Sequence, residues 1–250
     1  MKKINVTVWH EFKHEKLDKK VRDLYPGGMH EVIKRFLDQD ESFEVRTATL
    51  DQPECGLPDE VLEKTDVLLW WGHMAHKEVP DDLIPKIQKR VYQGGMGFIA
   101  LHSAHHSKPF KALLGTNGNL SWGRNQREVI WNVMPSHPIT KGLPDHFTLD
   151  SEELYCEPFY IPQPDEFLFN AWYEDGYVFR AGCCWYRGAG KVFYFQPGHE
   201  TCRSFYNPYV RQIITNAVHW AAPNDIGYTV PEGCPHIEKN ATSTPAVYIS

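Results

Sequence analysis

Four short apolar segments of this chain each run into a histidine, and this narrows the possible folds more than any other feature. INVTVWH ends at His10, DVLLWWGH at His73, GFIALHS passes through His102, and KVFYFQPGH ends at His199. Short continuous apolar runs bounded by turn residues read as strands buried on both faces, as in a parallel sheet. Helical patterns alternate with them. Val32, Ile33, Phe36 and Leu37 share a face over residues 30–37. Leu83, Ile84, Ile87 and Val91 do so over residues 81–93, which end in Gly94-Gly95, a helix stop. With a strand over residues 43–49 and a short helix over 107–114, the order is βαβαβα, which predicts a doubly wound parallel sheet. The carboxyl ends of such strands lie along one edge, where ligands bind. Histidines far apart in the chain are therefore expected to converge.

Beyond Gly115 the character changes. Strands are expected over residues 127–133, 147–149, 167–173 and 177–183, then a hairpin turn at 188–190 leading into a strand over 191–196. Residues 207–220 read as a closing amphipathic helix with Asn207 as N-cap and Pro208 in the first helical position. The expected organisation is one α/β domain over residues 1–222, followed by an extended Pro-rich arm over 223–250. That arm is read as packing on the body or on a neighbouring subunit.

At 250 residues and 42% hydrophobic the chain can bury a sizeable core. Its net charge of −6, with no basic block, argues against nucleic acid as a partner. No run is long and apolar enough to span a bilayer, and MKKINVTVWH is too polar for a signal peptide, so a cytoplasmic location is expected. The six cysteines, Cys55, Cys156, Cys183, Cys184, Cys202 and Cys234, form no CxxC pair and read as small core residues.

The candidate chemistry gathers at the strand ends. His73, His102 and His199 are read as metal ligands, because imidazole is a common ligand and catalytic zinc takes three protein ligands plus water. The densest segment, LHSAHHSKPF, places Ser103 on a strand-to-helix turn. His102 and His105 lie three apart on the turn that follows, and His105 is chosen to point into the site. WWGHMAHKEV adds His76, and Trp71 as a surface for a sugar ring, with core packing as the commoner role of such a tryptophan. WHEFKHEK supplies His10, Glu11, His14 and Glu15, which either serve the site or form a solvated loop. SEELYCEPF reads as an acidic loop with Glu152, Glu153 and Glu157, of which Glu153 is the candidate base. Glu200 follows His199, and Arg203 binds a substrate anion or pairs with Glu200. The assignment is His102, His105 and Glu153 as catalytic, and Trp71, Ser103, His76, His10, Glu11 and Arg203 as substrate-binding.

WWGHMAH, LHSAHHSKPFKALLGT, MPSHPITKGLP, EELYCEPF, FRAGCCWYRGAGKVFYFQPGHET and NAVHWAAP together resemble the ThuA-like (trehalose-utilisation) family over roughly residues 3–223. The resemblance implies a flavodoxin-like three-layer α/β fold with a central, mostly parallel sheet, related to class I glutamine amidotransferases. Those enzymes carry a cysteine nucleophile on the elbow after a central strand. Here the elbow reads LHSAHH, with His102 and Ser103 and no cysteine, so amidotransferase chemistry is not expected. The resemblance points to disaccharide metabolism. The expected activity is a metal-assisted lyase, isomerase or hydrolase step on a sugar derivative such as a 3-keto-glycoside. A base removes the acidified proton beside the keto group while a divalent metal, zinc first, steadies the enediolate. No nucleotide cofactor is expected; a homo-oligomer is. The alternative is a non-enzymatic carbohydrate-binding or regulatory module on a scaffold that lacks its nucleophile. A hydrolase using Ser103 is disfavoured, since the segment is not GxSxG.

Overall fold

The apolar runs become neighbouring strands of one sheet in a computed structural model that describes residues 3–223. β1 (Ile4–His10) lies parallel to β2 (Phe43–Thr49) on one side and to β3 (Val67–Trp71) on the other. β4 (Gly97–Leu101) follows β3, and the last strand, β9 (Gly190–Phe195), follows β4, again in parallel. Every residue of β3 and β4 is buried, as expected for central parallel strands covered on both faces. Beyond β9 the sheet turns antiparallel through β8 (Val178–Arg187), β7 (Glu166–Tyr173), β5 (Ser121–Asn132) and β6 (His146–Cys156). The sheet is thus mixed, with a parallel core and an antiparallel extension. Antiparallel neighbours need only tight connections, such as the turn at Gly188-Ala189 between β8 and β9.

The helices are α1 (His14–Leu17), α2 (Lys19–Leu24), α3 (Met29–Leu37), α4 (Asp59–Lys64), α5 (Leu83–Tyr92), α6 (Lys108–Leu114) and α7 (Pro208–Ala221). α3 and α7 pack together, while α4, α5 and α6 form a second group in which each touches the next. The face of α3 turned to the core carries Met29, Val32, Ile33, Phe36 and Leu37, the periodicity visible in the sequence. α7 begins as its sequence predicts. The Asn207 side chain accepts from the N–H groups of Tyr209 and Val210, at 2.9 and 3.3 Å, and Pro208 needs no partner there. Cys55, Cys156, Cys183, Cys184 and Cys202 are free and buried. Cys234 and the arm, apart from Pro223, lie outside the described residues.

β4 and α7 approach so closely that only glycine fits at the first position of the strand. A Cβ at Gly97 would stand 2.6 Å from both the Cβ and the carbonyl oxygen of Ala221. Gly97→Ala is expected to cost about 2 kcal/mol through overpacking, read as a lower urea midpoint with unchanged slope. Wild-type stability in that variant would show that α7 moves aside freely.

Two sequence expectations are corrected. SEELYC is not a loop but the second half of β6, and β5 begins at Ser121, upstream of the strand expected from residue 127. Runs of charge argue against a buried strand only when the charges lack partners. Here Glu152 and Glu153 have them, and no local pattern reveals that.

Candidate functional site: a histidine and glutamate cluster at the strand ends

Because β1, β3, β4 and β9 are adjacent and in register (His10 beside Trp71, Trp71 beside Leu101, Leu101 beside Phe195), their carboxyl ends finish level. The loops that follow deliver His73, His102 and His199 to one place. Their ring centroids lie 6.0 Å (His73–His102), 5.6 Å (His73–His199) and 5.3 Å (His102–His199) apart. His14, from α1, completes the group, stacked on His73 at 5.0 Å.

His102 stands on the elbow where β4 gives way to a 3-10 turn over His102–His106, with φ at +53°. A non-glycine residue in this left-handed region costs about 1–3 kcal/mol, and such strain concentrates at working sites. The elbow lifts the side chain above the sheet edge, as a nucleophile elbow does. Its Nδ1–H donates to the Gln196 carbonyl at 2.9 Å, which fixes the ring. Nε2 then faces Glu153 Oε2 at 3.2 Å and the Tyr155 hydroxyl at 3.3 Å. Tyr155 also shares a hydrogen bond with the Ser103 hydroxyl at 2.8 Å, so Ser103 is tied to this network from a buried position. Burial alone would lower the His102 pKa, but the hydrogen bond to Glu153 and the charges of Glu152 and Glu153 raise it. Burial would raise the carboxyl of Glu153, yet His102 and the neighbouring imidazoles hold it below its ordinary value.

The second carboxylate is Glu200. It faces His73 Nδ1 at 3.2 Å, His14 Nδ1 at 3.4 Å and His199 Nε2 at 3.4 Å. Burial works against its charge, but the hydrogen bond from His73 and the charges of His199, His73 and His14 bring it down to about 2. Burial instead keeps His199 neutral, with its pKa lowered to about 4, and lowers His14 as well. Two sets of ligand atoms lie within 4.8 Å of one another, His14 with His73 and Glu200, and His73 with Glu153 and His199. His102 stands outside both sets and reaches them through Glu153. Oε2 of Glu153 and Oε2 of Glu200 are buried, and each meets an imidazole nitrogen at 3.2 Å, from His102 and His73 respectively. Buried carboxylates set among imidazoles are the ligand types of a cation site.

Two further glutamates hold the loops that carry these groups. Glu11, at the end of β1, accepts from the backbone N–H groups of His73, Met74 and Ala75 at 2.8, 2.9 and 3.0 Å. Glu152, on β6, accepts from Gly198 N–H at 2.8 Å, His199 N–H at 3.1 Å and Glu153 N–H at 2.9 Å, and from the Ser204 hydroxyl. Each is almost wholly buried, and each sets one loop of the cluster in place. Trp71 is a strut of the same kind, donating its indole N–H to the Gly198 carbonyl at 2.9 Å from a buried position.

The other expected site residues lie around the cluster. His10 turns away from it to meet His30, Nδ1 to Nδ1 at 2.9 Å. His76 lies beside Gly72, with its ring 6.3 Å from that of His106, and burial brings its pKa down to about 3. His105 donates from Nδ1 to the Gly118 carbonyl at 2.7 Å and sets its ring edge-on behind Tyr155 at 5.3 Å. Arg203 lies over the Tyr206 ring at 5.0 Å. Tyr155 was missed in the sequence. The clue was its position two residues after Glu153, which on a strand places both on one face. A third set of possible ligands, His137, Glu166 and Cys184, is unsuited to an ion. His137 Nδ1 accepts from Ile139 N–H, so its proton sits on Nε2, facing Glu166, and no lone pair is left.

Fold and site together define an α/β protein of flavodoxin-like type with a histidine and glutamate cluster at the carboxyl edge of its parallel strands. The trehalose utilisation (ThuA) family model matches residues 5–221, and the chain belongs to that family. Among solved structures, a ThuA-like protein from Parabacteroides merdae aligns with TM-score 0.67 at 16% identity, covering 93% of each chain. One from Bacteroides uniformis aligns with TM-score 0.60 at 17% identity, covering 87% of this chain and 90% of that one. A protein described as cytoplasmic from Salmonella typhimurium aligns with TM-score 0.57 at 11% identity, covering 88% of this chain and all of its own. No curated protein sequence matches the chain. Among the described residues, no helix is long and apolar enough to cross a membrane.

Proposed function

We propose that this chain is a metal-assisted enzyme acting on a sugar derivative, such as a 3-keto-glycoside, at the cluster of His14, His73, His102, His199, Glu153 and Glu200. The observation that carries this reading is the pair of buried carboxylates, Glu153 and Glu200, each with two imidazoles whose ligand atoms lie within 4.8 Å of it and of one another. A divalent ion, zinc first, would be held by His73 with His14 and Glu200, which leaves Glu153 free to act as a base; the other set, His73 with Glu153 and His199, would occupy it. When bound, such an ion supplies positive charge beside a developing enediolate.

The chain's own groups handle the proton. The Glu153 pKa is lowered and that of His102 raised by their pairing, so in this reading Glu153 is the base that takes a proton beside a keto group and His102 the acid that returns one. Tyr155 bridges Ser103 and His102 and orients both, with His105 packed behind its ring. The family's sugar context supports the substrate class. A cytoplasmic, homo-oligomeric enzyme without nucleic-acid, membrane or nucleotide partners completes the proposal.

His73 is common to both ligand sets, so His73→Ala tests the reading. Elemental analysis of the purified proteins is expected to find stoichiometric divalent metal in the wild type and little in the variant. The keto-glycoside is expected to disappear only with the wild type. A wild type that takes up no metal from added zinc or manganese would overturn the metal, and one inert toward keto-glycosides when loaded would overturn the enzyme.

A further inference from the structure

The first half of β5, residues 121–126, pairs with β6 alone, while the second half sits between β6 and β7. This ribbon includes the strand that carries Glu153 and Tyr155 into the cluster. In the antiparallel pairing Trp122 lies directly opposite Tyr155, and residues directly opposite one another project from the same face. Tyr155 uses that face to stack on His102, with ring centroids 5.0 Å apart and planes 16° apart. Leu154, on the other face, is opposite Gly123 and comes within 3.4 Å of where a Cβ there would be. Trp122 is therefore on the site's side of the ribbon.

It is also 72% exposed, the largest aromatic side chain left so open among the described residues, and it has no hydrogen-bond or ring partner there. The ribbon is built around it. The register shifts between Gly123 and Asn125, a bulge at Arg124, and bulges beside sites re-aim side chains. After the bulge, Asn125 donates to the Thr201 hydroxyl at 3.1 Å, and that hydroxyl is 2.8 Å from His199 Nδ1. The ribbon that displays Trp122 is thus tied to a ligand-bearing loop of the cluster.

We infer that Trp122 is the stacking platform of this site, holding the apolar C–H face of a pyranose ring of the sugar against the β5–β6 ribbon. An exposed indole with nothing on its face, on a wall shared with the acid–base network, fits a ligand that is polar at its edges and apolar on its faces. A sugar ring is such a ligand. The inference rests on the sugar reading above and adds the residue that recognises the ring.

The test uses Trp122→Ala and Trp122→Phe in the full chain, titrated by calorimetry with trehalose and with 3-keto-trehalose, and metal content measured in parallel. Binding to Trp122→Ala is expected to weaken by tenfold or more, with Trp122→Phe within about threefold of wild type, because a smaller aromatic face still stacks. A saturable change in tryptophan fluorescence seen in the wild type should be absent from Trp122→Phe. Metal content should match in all three proteins, which separates this test from that of the metal. Unchanged sugar affinity in Trp122→Ala would overturn the platform and leave the sugar reading standing. A wild type that binds neither sugar would overturn both.

Discussion

Glu152→Ala is expected to lower folding stability by roughly 4 kcal/mol, because several buried donors lose their acceptor together and each orphaned group costs about 1–3 kcal/mol, less whatever water recovers. The donors are the N–H groups of Glu153, Gly198 and His199, and the Ser204 hydroxyl. Glu152 is fully buried, so the vacated space is not simply refilled by solvent. Glu152→Gln keeps the volume but presents an amide N–H where an acceptor is needed, and should cost about half as much. Both variants release the loop carrying His199 and Glu200, so metal affinity should fall along with stability. Urea denaturation and zinc titration of the two variants check this. A Gln variant with wild-type stability and zinc affinity would show that the carboxylate does not hold the loop.

Acid is expected to unfold the protein well above the usual carboxylate range. Away from the cluster, His10, His30, His76 and His105 are all shifted down, in each case first by burial. For a histidine whose folded pKa is depressed, the unfolded chain binds the proton first. Stability is then complete above the unfolded value of 6.5 and is lost as pH falls below it, for His76 down to about 3. His102 is raised and has the opposite sign. Its contribution is complete below 6.5 and is lost as pH rises through its folded value, so it adds no slope in the acid window. Allowing for partial solvent access to His30 and His76 leaves about three net protons, or roughly 4 kcal/mol per pH unit. A domain with about 5–15 kcal/mol in hand would lose most of it between pH 6.5 and the low fours. Thermal melts at pH 7, 6 and 5 test this, and equal melting temperatures at pH 7 and 5 would contradict it.

The elements legible in the sequence were those whose apolar residues form a period or an unbroken run. β2 and β4 run over the residues that the pattern marks, and α7 starts at the cap its residues dictate. Periodicity records which face is apolar, and that is a property of neighbours in the chain. β6 was half missed because its glutamates are buried through partners on other elements: Ser204 and the Gly198 and His199 amides for Glu152, His102 for Glu153.

The candidate site divides along the same line. The sequence by itself determined that His73, His102 and His199 would stand at the ends of parallel strands, because an apolar run followed by a histidine leaves the histidine at the strand's exit. Only the tertiary structure decided which of the histidines face one another. The order β1-β3-β4-β9 and the level register brought those three together. The fold of α1 added His14, and a turn toward His30 took His10 away. The carboxylates were decided there too, since Glu11 and Glu152 serve backbone amides of distant loops while Glu153 and Glu200 serve imidazoles. The physical reason is that a buried charge is stable only beside its partner. Chain connectivity sets where a side chain leaves the backbone, but the partner comes from another strand, and only packing brings the two within hydrogen-bonding distance.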